Sequence, residues 1–215
     1  MFTGIIEEVG QVAAIGKKGK QRRLTISASH VPAQLKRGSS IAVSGVCLTA
    51  TAVRKLSFGA DLAQETWTRT SFSRLKPGAL VNLELPMPAS GRFDGHIVQG
   101  HVDGTGRLVS LTPIPGAEDY WLTVSVPSEL TRYIVHKGSL AIEGISLTVA
   151  AIDGAEVRLA IIPHTAEATN LRSLKCGDPV NLEIDVIAKY VEKMMMAETK
   201  ARSSITLESL VREGF

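Results

Sequence analysis

The chain has 215 residues, 44% of them hydrophobic and 21% charged, with a formal net charge of +3. That is ordinary globular composition with length enough for two compact cores, so a disordered or fibrous chain is excluded. The mild charge, and aromatics at only 5%, exclude nucleic acid as the main partner, because a stacking platform needs rings interleaved with basic residues.

In chain order, Met1-Phe2-Thr3-Gly4-Ile5-Ile6-Glu7-Glu8 carries no basic n-region and reaches carboxylates before an apolar segment develops, so no secretory signal is expected. Runs of β-formers follow at residues 5–15, 23–27, 40–53, 56–62 and 80–85, with brief helical interruptions over 31–36 and 70–75. The basic run Lys17-Lys18-Gly19-Lys20-Gln21-Arg22-Arg23 falls between the first two and reads as a solvated hairpin. Pro86-Met87-Pro88-Ala89-Ser90-Gly91-Arg92 is a link with little apolar periodicity. New runs begin at Val102, Trp121, Ser139, Glu156 and Pro179. Short strands at this spacing predict small closed antiparallel barrels, and closure removes exposed edges.

After Asp185 the period changes. Ile187, Tyr190, Val191, Met194 and Met195 share one helical face, and Lys189, Glu192, Lys193 and Glu198 the other, which predicts a terminal amphipathic helix. It either packs on its own barrel or docks against the same helix of other subunits. A second short helix is expected at 206–212, capped from Ser203-Ser204. No stretch approaches the roughly 18 apolar residues of a membrane span. The expected fold is all-β with a C-terminal α-helix, divided into residues 1–96, 97–186 and 187–215.

The two barrels are copies. Gly45-Val46-Cys47-Leu48-Thr49 returns as Gly144-Ile145-Ser146-Leu147-Thr148, and Val81-Asn82-Leu83-Glu84-Leu85 as Val180-Asn181-Leu182-Glu183-Ile184, both displaced by 99 residues. Upstream the displacement shrinks to 96, for Gly4 and Gly10 against Gly100 and Gly106. A period this long is no solenoid unit, so two like domains facing across a pseudo-twofold axis are expected, with two similar pockets. Cys47 and Cys176 fall at non-equivalent places, so no framework disulfide is expected and a reducing cytoplasm is the natural setting.

The usual cofactor signatures are missing: no Cys-x-x-Cys, no His-Glu-x-x-His, no Walker loop and no Gly-x-Ser-x-Gly elbow. Gly104-Thr105-Gly106 opens a strand rather than a helix, so it is no dinucleotide fingerprint. His96 and His101, five residues apart on an extended segment, point to opposite faces and are poorly placed to share a metal. What remains is a duplicated set of hydroxyls, Thr49 with Thr148 and Thr66 with Thr165, beside backbone donors and acceptors. Such a set suits the edge of a flat heterocycle, although β-propensity alone explains any single threonine on a strand. The copies differ where Cys47 faces Ser146, Ile5 faces His101, Gly38 faces Lys137, Glu65 faces His164 and Pro86 faces Asp185. Proton-carrying groups thus concentrate in copy two, so copy one is expected to hold a ligand and copy two to activate one.

Five segments in order around this duplication resemble the riboflavin synthases of the alpha-chain type, over essentially the whole chain. They are Met1-Phe2-Thr3-Gly4-Ile5, Gly45-Val46-Cys47-Leu48-Thr49, Gly95-His96-Ile97-Val98-Gln99-Gly100-His101-Val102-Asp103-Gly104, Gly144-Ile145-Ser146-Leu147-Thr148 and Asn181-Leu182-Glu183-Ile184-Asp185. The resemblance implies two six-stranded Greek-key barrels, a helix-mediated homotrimer, and dismutation of two 6,7-dimethyl-8-ribityllumazine molecules. One molecule gives a four-carbon unit to the other, yielding riboflavin and 5-amino-6-ribitylamino-uracil without cofactor or metal. Lumazine synthase is a candidate partner.

By the same resemblance, one lumazine sits against Gly4, Ile5 and Ile6, Cys47, Leu48 and Thr49, and Asp61, Leu62, Ala63, Gln64, Glu65 and Thr66. The other sits against Gly100, His101 and Val102, Ser146, Leu147 and Thr148, and Ala160, Ile161, Ile162, Pro163, His164 and Thr165, with Lys137 reaching across from a neighbouring chain. The chemistry takes a proton from an acidic methyl group on one ring and adds a nucleophile to the other. Ser146 and Asp185 are expected to activate the ligand of copy two, with His101 as proton shuttle, Cys47 assisting in copy one and Phe2 sealing the site. Two other readings stay open. A non-catalytic lumazine- or flavin-binding protein needs only one good pocket, and a flavin-dependent oxidoreductase module needs a nicotinamide domain for which these residues leave no room.

Overall fold

Alternation along each run decides which side chains turn inward. The computed structural model describes residues 1–18, 21–202 and 211–214. Its first copy runs β1 (Glu8–Lys18), β2 (Gln21–Ser27), α1 (Val31–Gln34), β3 (Ser40–Val43), β4 (Val46–Arg54), β5 (Ser57–Leu62), α2 (Gln64–Arg69), a 3-10 turn (Ser71–Arg74) and β6 (Leu80–Glu84). The second repeats it as β7 (Gly104–Pro113), β8 (Tyr120–Ser125), α3 (Ser128–Thr131), β9 (Ser139–Ile142), β10 (Ile145–Asp153), β11 (Glu156–Ile161), α4 (Pro163–Glu167), a 3-10 turn (Asn170–Ser173) and β12 (Pro179–Ile184). Hydrogen bonding closes the first barrel in the order β1-β2-β5-β4-β3-β6 and the second in the same order six strands on. Both are antiparallel, six-stranded barrels of Greek-key order, as expected. On β4, Val46, Leu48 and Ala50 enter the core while Cys47 and Thr49 face out; β5 turns Phe58, Ala60 and Leu62 inward.

The expected single run at 40–53 is two strands. Ser44 and Gly45 form the turn between β3 and β4, mirrored by Glu143 and Gly144 between β9 and β10, and all four have positive φ, at 43°, 78°, 50° and 80°. Left-handed geometry at both turn positions matches the twist of the flanking strands. Glycine at the second position has a further cause: a Cβ on Gly45 would lie 2.7 Å from the backbone nitrogen of Gly144, and one on Gly144 2.6 Å from that of Gly45. The barrels therefore meet turn tip to turn tip, on the pseudo-twofold axis.

Buried polar groups ring this contact. Asn82 Nδ2 donates to the Glu143 carbonyl at 2.9 Å and Asn181 Nδ2 to the Ser44 carbonyl at 2.8 Å. The symmetry breaks at the fully buried Glu143 carboxylate. It accepts from Ser71 Oγ at 2.9 Å, from Asn170 Nδ2 at 2.8 Å and from Arg74 Nη2 at 3.3 Å. A buried charge is tolerated when paired and hydrogen-bonded in this way.

α5 (Val186–Arg202) opens a second compact unit, residues 186–215, and exposes Ile187, Tyr190, Val191, Met194 and Met195. Among the described residues no helix is long and apolar enough to cross a membrane. The expected helix at 206–212, Ser203-Ser204 before it, Gly19 and Lys20 of the basic run and the side chain of Glu198 fall wholly or partly outside the described residues.

Candidate functional site

Because β1 starts only at Glu8, the residues before it are free to leave their own barrel. They pair with the linker: Phe2 N–H donates to the Val98 carbonyl at 2.7 Å, Val98 N–H to that of Phe2 at 3.1 Å, and His96 N–H to that of Thr3 at 3.1 Å. Phe2, Val98, Ala42 and Ala141 close over each other between the barrels, with Cys47 against them. The chain then crosses. The Gly4 carbonyl accepts the Ser146 N–H of barrel two at 2.8 Å, and the Gly100 carbonyl accepts the Cys47 N–H of barrel one at 2.8 Å. Both glycines are left-handed, with φ of 79° and 78°. Their Cβ atoms would lie 2.7 Å from Ser146 Cβ and 2.6 Å from Cys47 Cβ.

A buried glutamate pins each crossing. Glu84 on β6 accepts Thr3 N–H at 2.6 Å, Thr3 Oγ–H at 2.9 Å and Gly4 N–H at 3.0 Å. Glu183 on β12 accepts the N–H groups of Gln99 at 2.6 Å, Gly100 at 2.9 Å and His101 at 3.1 Å. Burial pushes the Glu84 carboxyl above the usual carboxylate range, against its hydrogen bonds from Thr3 and Gly4 and with the Glu7 charge adding to the rise.

The crossing corrects the expected grouping. Gly100, His101, Val102 and Asp103 line a groove of about 650 Å³ on barrel one with Val46, Cys47, Ala63, Glu65, Thr66, Arg69 and Thr70. Gly4 lies instead with Ser146 of barrel two, so the segments 4–6 and 100–102 trade places relative to the sequence reading. A displacement between copies reveals equivalence but not which barrel a segment finally touches. Of the proton-carrying groups that set copy two apart in the sequence, His101 is the one that lies beside Cys47 of barrel one. The linker sends one histidine each way: His101 to the groove of barrel one, His96 to Ser146 of barrel two.

On barrel two Ser146, half-buried on β10, meets His96 Nδ1 through Oγ at 2.7 Å. The sequence reading paired Ser146 with Asp185 and missed His96. Burial pushes the His96 imidazole below its ordinary pKa, and the Asp185 carboxylate partly offsets this. The missed signal lay in Gly95, where a Cβ would sit 1.9 Å from the Thr3 carbonyl oxygen and 3.2 Å from Ser146 Cβ. Only glycine brings the linker this close.

The other expected site residues sort by which way their strands turn them. Thr49, Thr148 and Ala160 are exposed on outer walls, Ile5 is exposed beside the crossing at Gly4, Ile162 is exposed just before α4, and Ile6 is half-buried. Leu48, Leu62, Leu147 and Ile161 are core residues, so only their backbone reaches the outer face. Asp61 is held on the wall by Arg23, Nε to Oδ1 at 2.6 Å and Nη2 to Oδ2 at 2.7 Å. Gln64, Glu65 and Thr66 ride on α2, and Pro163, His164 and Thr165 on α4, two helices the sequence reading lacked. Lys137 keeps φ of 63° where copy one has Gly38 at 92°. Its N–H donates to Val149 at 2.9 Å as that of Gly38 does to Ala50 at 2.8 Å. A lysine in this strained conformation points to a use for its side chain. No three His, Cys, Asp or Glu side chains among the described residues are grouped to hold a metal ion.

Comparison with known proteins agrees with this architecture. The lumazine binding domain model matches residues 3–86 and 99–185. The riboflavin synthase of Actinobacillus pleuropneumoniae is 46% identical over 217 residues, and that of Bacillus subtilis 41% over 217, each comparison covering 100% of both chains. LumP complexed with 6,7-dimethyl-8-(1'-D-ribityl) lumazine shares the fold with a TM-score of 0.76 at 23% identity, covering 86% of this chain and 99% of that one. LumP complexed with riboflavin gives 0.78 at 24%, with the same coverage. With a lumazine binding domain in each barrel and relatives matched from end to end, the chain belongs to the riboflavin synthase family.

Proposed function

We propose that the chain dismutates two 6,7-dimethyl-8-ribityllumazine molecules into riboflavin and 5-amino-6-ribitylamino-uracil. The observation that carries this reading is the pair of similarly built sites, each with a sulfur or oxygen nucleophile, a histidine and a crossing glycine: Cys47, His101 and Gly100 in one, Ser146, His96 and Gly4 in the other. A reaction that joins two identical molecules needs two such sites. Fixing both rings in attack geometry supplies about 7–11 kcal/mol, and acid–base groups add about 10²–10⁴-fold.

The segment 100–102 then holds the lumazine of barrel one with Thr49, Ala63 and Thr66, and 4–6 that of barrel two with Thr148, Ile162 and Thr165. Copies 1–96 and 97–186 are the holding units, and 187–215 assembles a cytoplasmic homotrimer. The exposed apolar stripe of α5 and the strained, exposed Lys137 support assembly in which a neighbouring chain completes a site. The test is lumazine alone, without nucleotide and with excess chelator. Riboflavin fluorescence and the pyrimidine should rise in equal amounts. Tight binding without turnover would make the chain a carrier.

A further inference from the structure

We propose that Glu143 is a positioning residue shared by both lumazine sites, its two carboxylate oxygens holding the 3-10 turns that follow the site helices α2 and α4. This rests on the function proposed above. Each helix is tied to its turn through a threonine assigned to a site: Thr70 Oγ1 donates to the Thr66 carbonyl at 2.6 Å, and Thr169 Oγ1 to that of Thr165 at 2.7 Å. The same two hydroxyls accept the N–H groups of Phe72 and Leu171 inside the turns. Where the turns stand therefore fixes where Thr66 and Thr165 stand. Thr66 and Thr70 themselves line the groove of barrel one.

The leading N–H of each turn is taken by the opposite barrel. Ser71 N–H donates to Asn181 Oδ1 on β12 at 2.6 Å, and Asn170 N–H to Asn82 Oδ1 on β6 at 2.7 Å. Two residues further along the same strands, Glu183 and Glu84 pin the crossing segments that reach the same sites. Thus β12 sets two walls of the site on barrel one, and β6 two walls of the site on barrel two. This much is symmetric.

Glu143 is where the symmetry ends, since copy one has Ser44 in its place. Its Oε1 accepts from Ser71 Oγ at 2.9 Å and from the Asn181 N–H at 2.8 Å, while Oε2 accepts from Asn170 Nδ2 at 2.8 Å and from Arg74 Nη2 at 3.3 Å. Ser71 and Arg74 belong to the turn of barrel one, Asn170 to that of barrel two. One fully buried side chain therefore touches both turns. All four partners donate, so an amide nitrogen in place of either oxygen would meet a donor and leave buried groups unsatisfied. A reaction between two identical molecules needs both rings held in a fixed relation. A single carboxylate between the two turns gives both helices a common reference point.

The experiment compares wild type, Glu143→Gln and the exchange Glu143→Gln with Asn170→Asp. The exchange reverses the bond between the two positions and keeps one carboxylate in the network for Arg74. Riboflavin is titrated while the ¹³C-methyl signals of Thr66 and Thr165 report the two sites separately. Glu143→Gln should move both signals before ligand is added and weaken riboflavin at both sites about tenfold, and the exchange should return both affinities to within about threefold of wild type. A contact that merely stabilises the fold would lower the urea midpoint and leave both signals and both affinities in place, which overturns the proposal. An exchange variant no better than the single change, in folding or in affinity, also overturns it. Should Glu143→Gln fail to fold, Ser71→Ala and Asn170→Ser decide, each removing one bond to the carboxylate. The first should move the Thr66 signal, the second that of Thr165, and both the Glu143 carboxyl ¹³C signal; any of these standing still overturns the proposal. Wild type that makes no riboflavin from lumazine would defeat the proposed function instead, with the ligand-free signals still deciding what Glu143 positions.

Discussion

Cys47 and Ser146 occupy matched places on β4 and β10, and each donates its backbone N–H to the carbonyl of a crossing glycine, while Ser146 Oγ is in addition hydrogen-bonded to the His96 imidazole. Cys47→Ser should therefore keep activity within about tenfold, since a hydroxyl at this position still binds. Ser146→Ala should lose about a hundredfold or more, within the usual range for an acid–base group. Steady-state kinetics on lumazine decide, and equal losses would erase the difference between the pockets. At this scale the sequence was legible where residues recur: both threonine pairs, both glycines of the crossings and the Cys/Ser contrast follow from displacement alone. His96 was not, since its contact with Ser146 depends on a chain crossing. The inward turn of Leu48 and Leu62 escaped for another reason: a segment named as a unit hides the alternation that sends every second side chain to the core.

The strands were legible because each carries that alternation. α2 and α4, at six and five residues, are too short to display a helical period. The turn at Ser44-Gly45 was overlooked inside a continuous run, although a small residue before glycine between β-formers is itself a hairpin signal. These turns make a quantitative comparison possible. Gly144→Ala must adopt φ near 80° and place a methyl 2.6 Å from the backbone of Gly45, whereas Gly38→Ala has φ near 92° but nothing within 4 Å. Alanine at 38 should cost about 1–2 kcal/mol of backbone strain, and alanine at 144 about 2–3 kcal/mol more as the barrels are forced apart. Urea denaturation of both variants measures the gap. Similar losses would mean that the turn tips yield without effort.

At the scale of the molecule, the duplication was plain in the sequence and the exchange between copies was not. Truncation after Val186 should leave both barrels folded, because their cores lie wholly before it. It should abolish the proposed trimer and most activity, since it removes the exposed apolar stripe of α5. Sedimentation velocity settles the first point, and an unchanged oligomer would assign α5 to its own subunit. The exchange carries a history as well. A chain with one copy owns the segment that completes its neighbour's pocket but not its own, so its simplest complete form is a pair of chains trading their first residues. Joining two such genes head to tail preserves every contact and adds only a linker. Once fused, the two halves no longer mutate together. Cysteine on one side, and a serine hydrogen-bonded to an imidazole on the other, are differences that a symmetric pair of identical chains had no means to acquire.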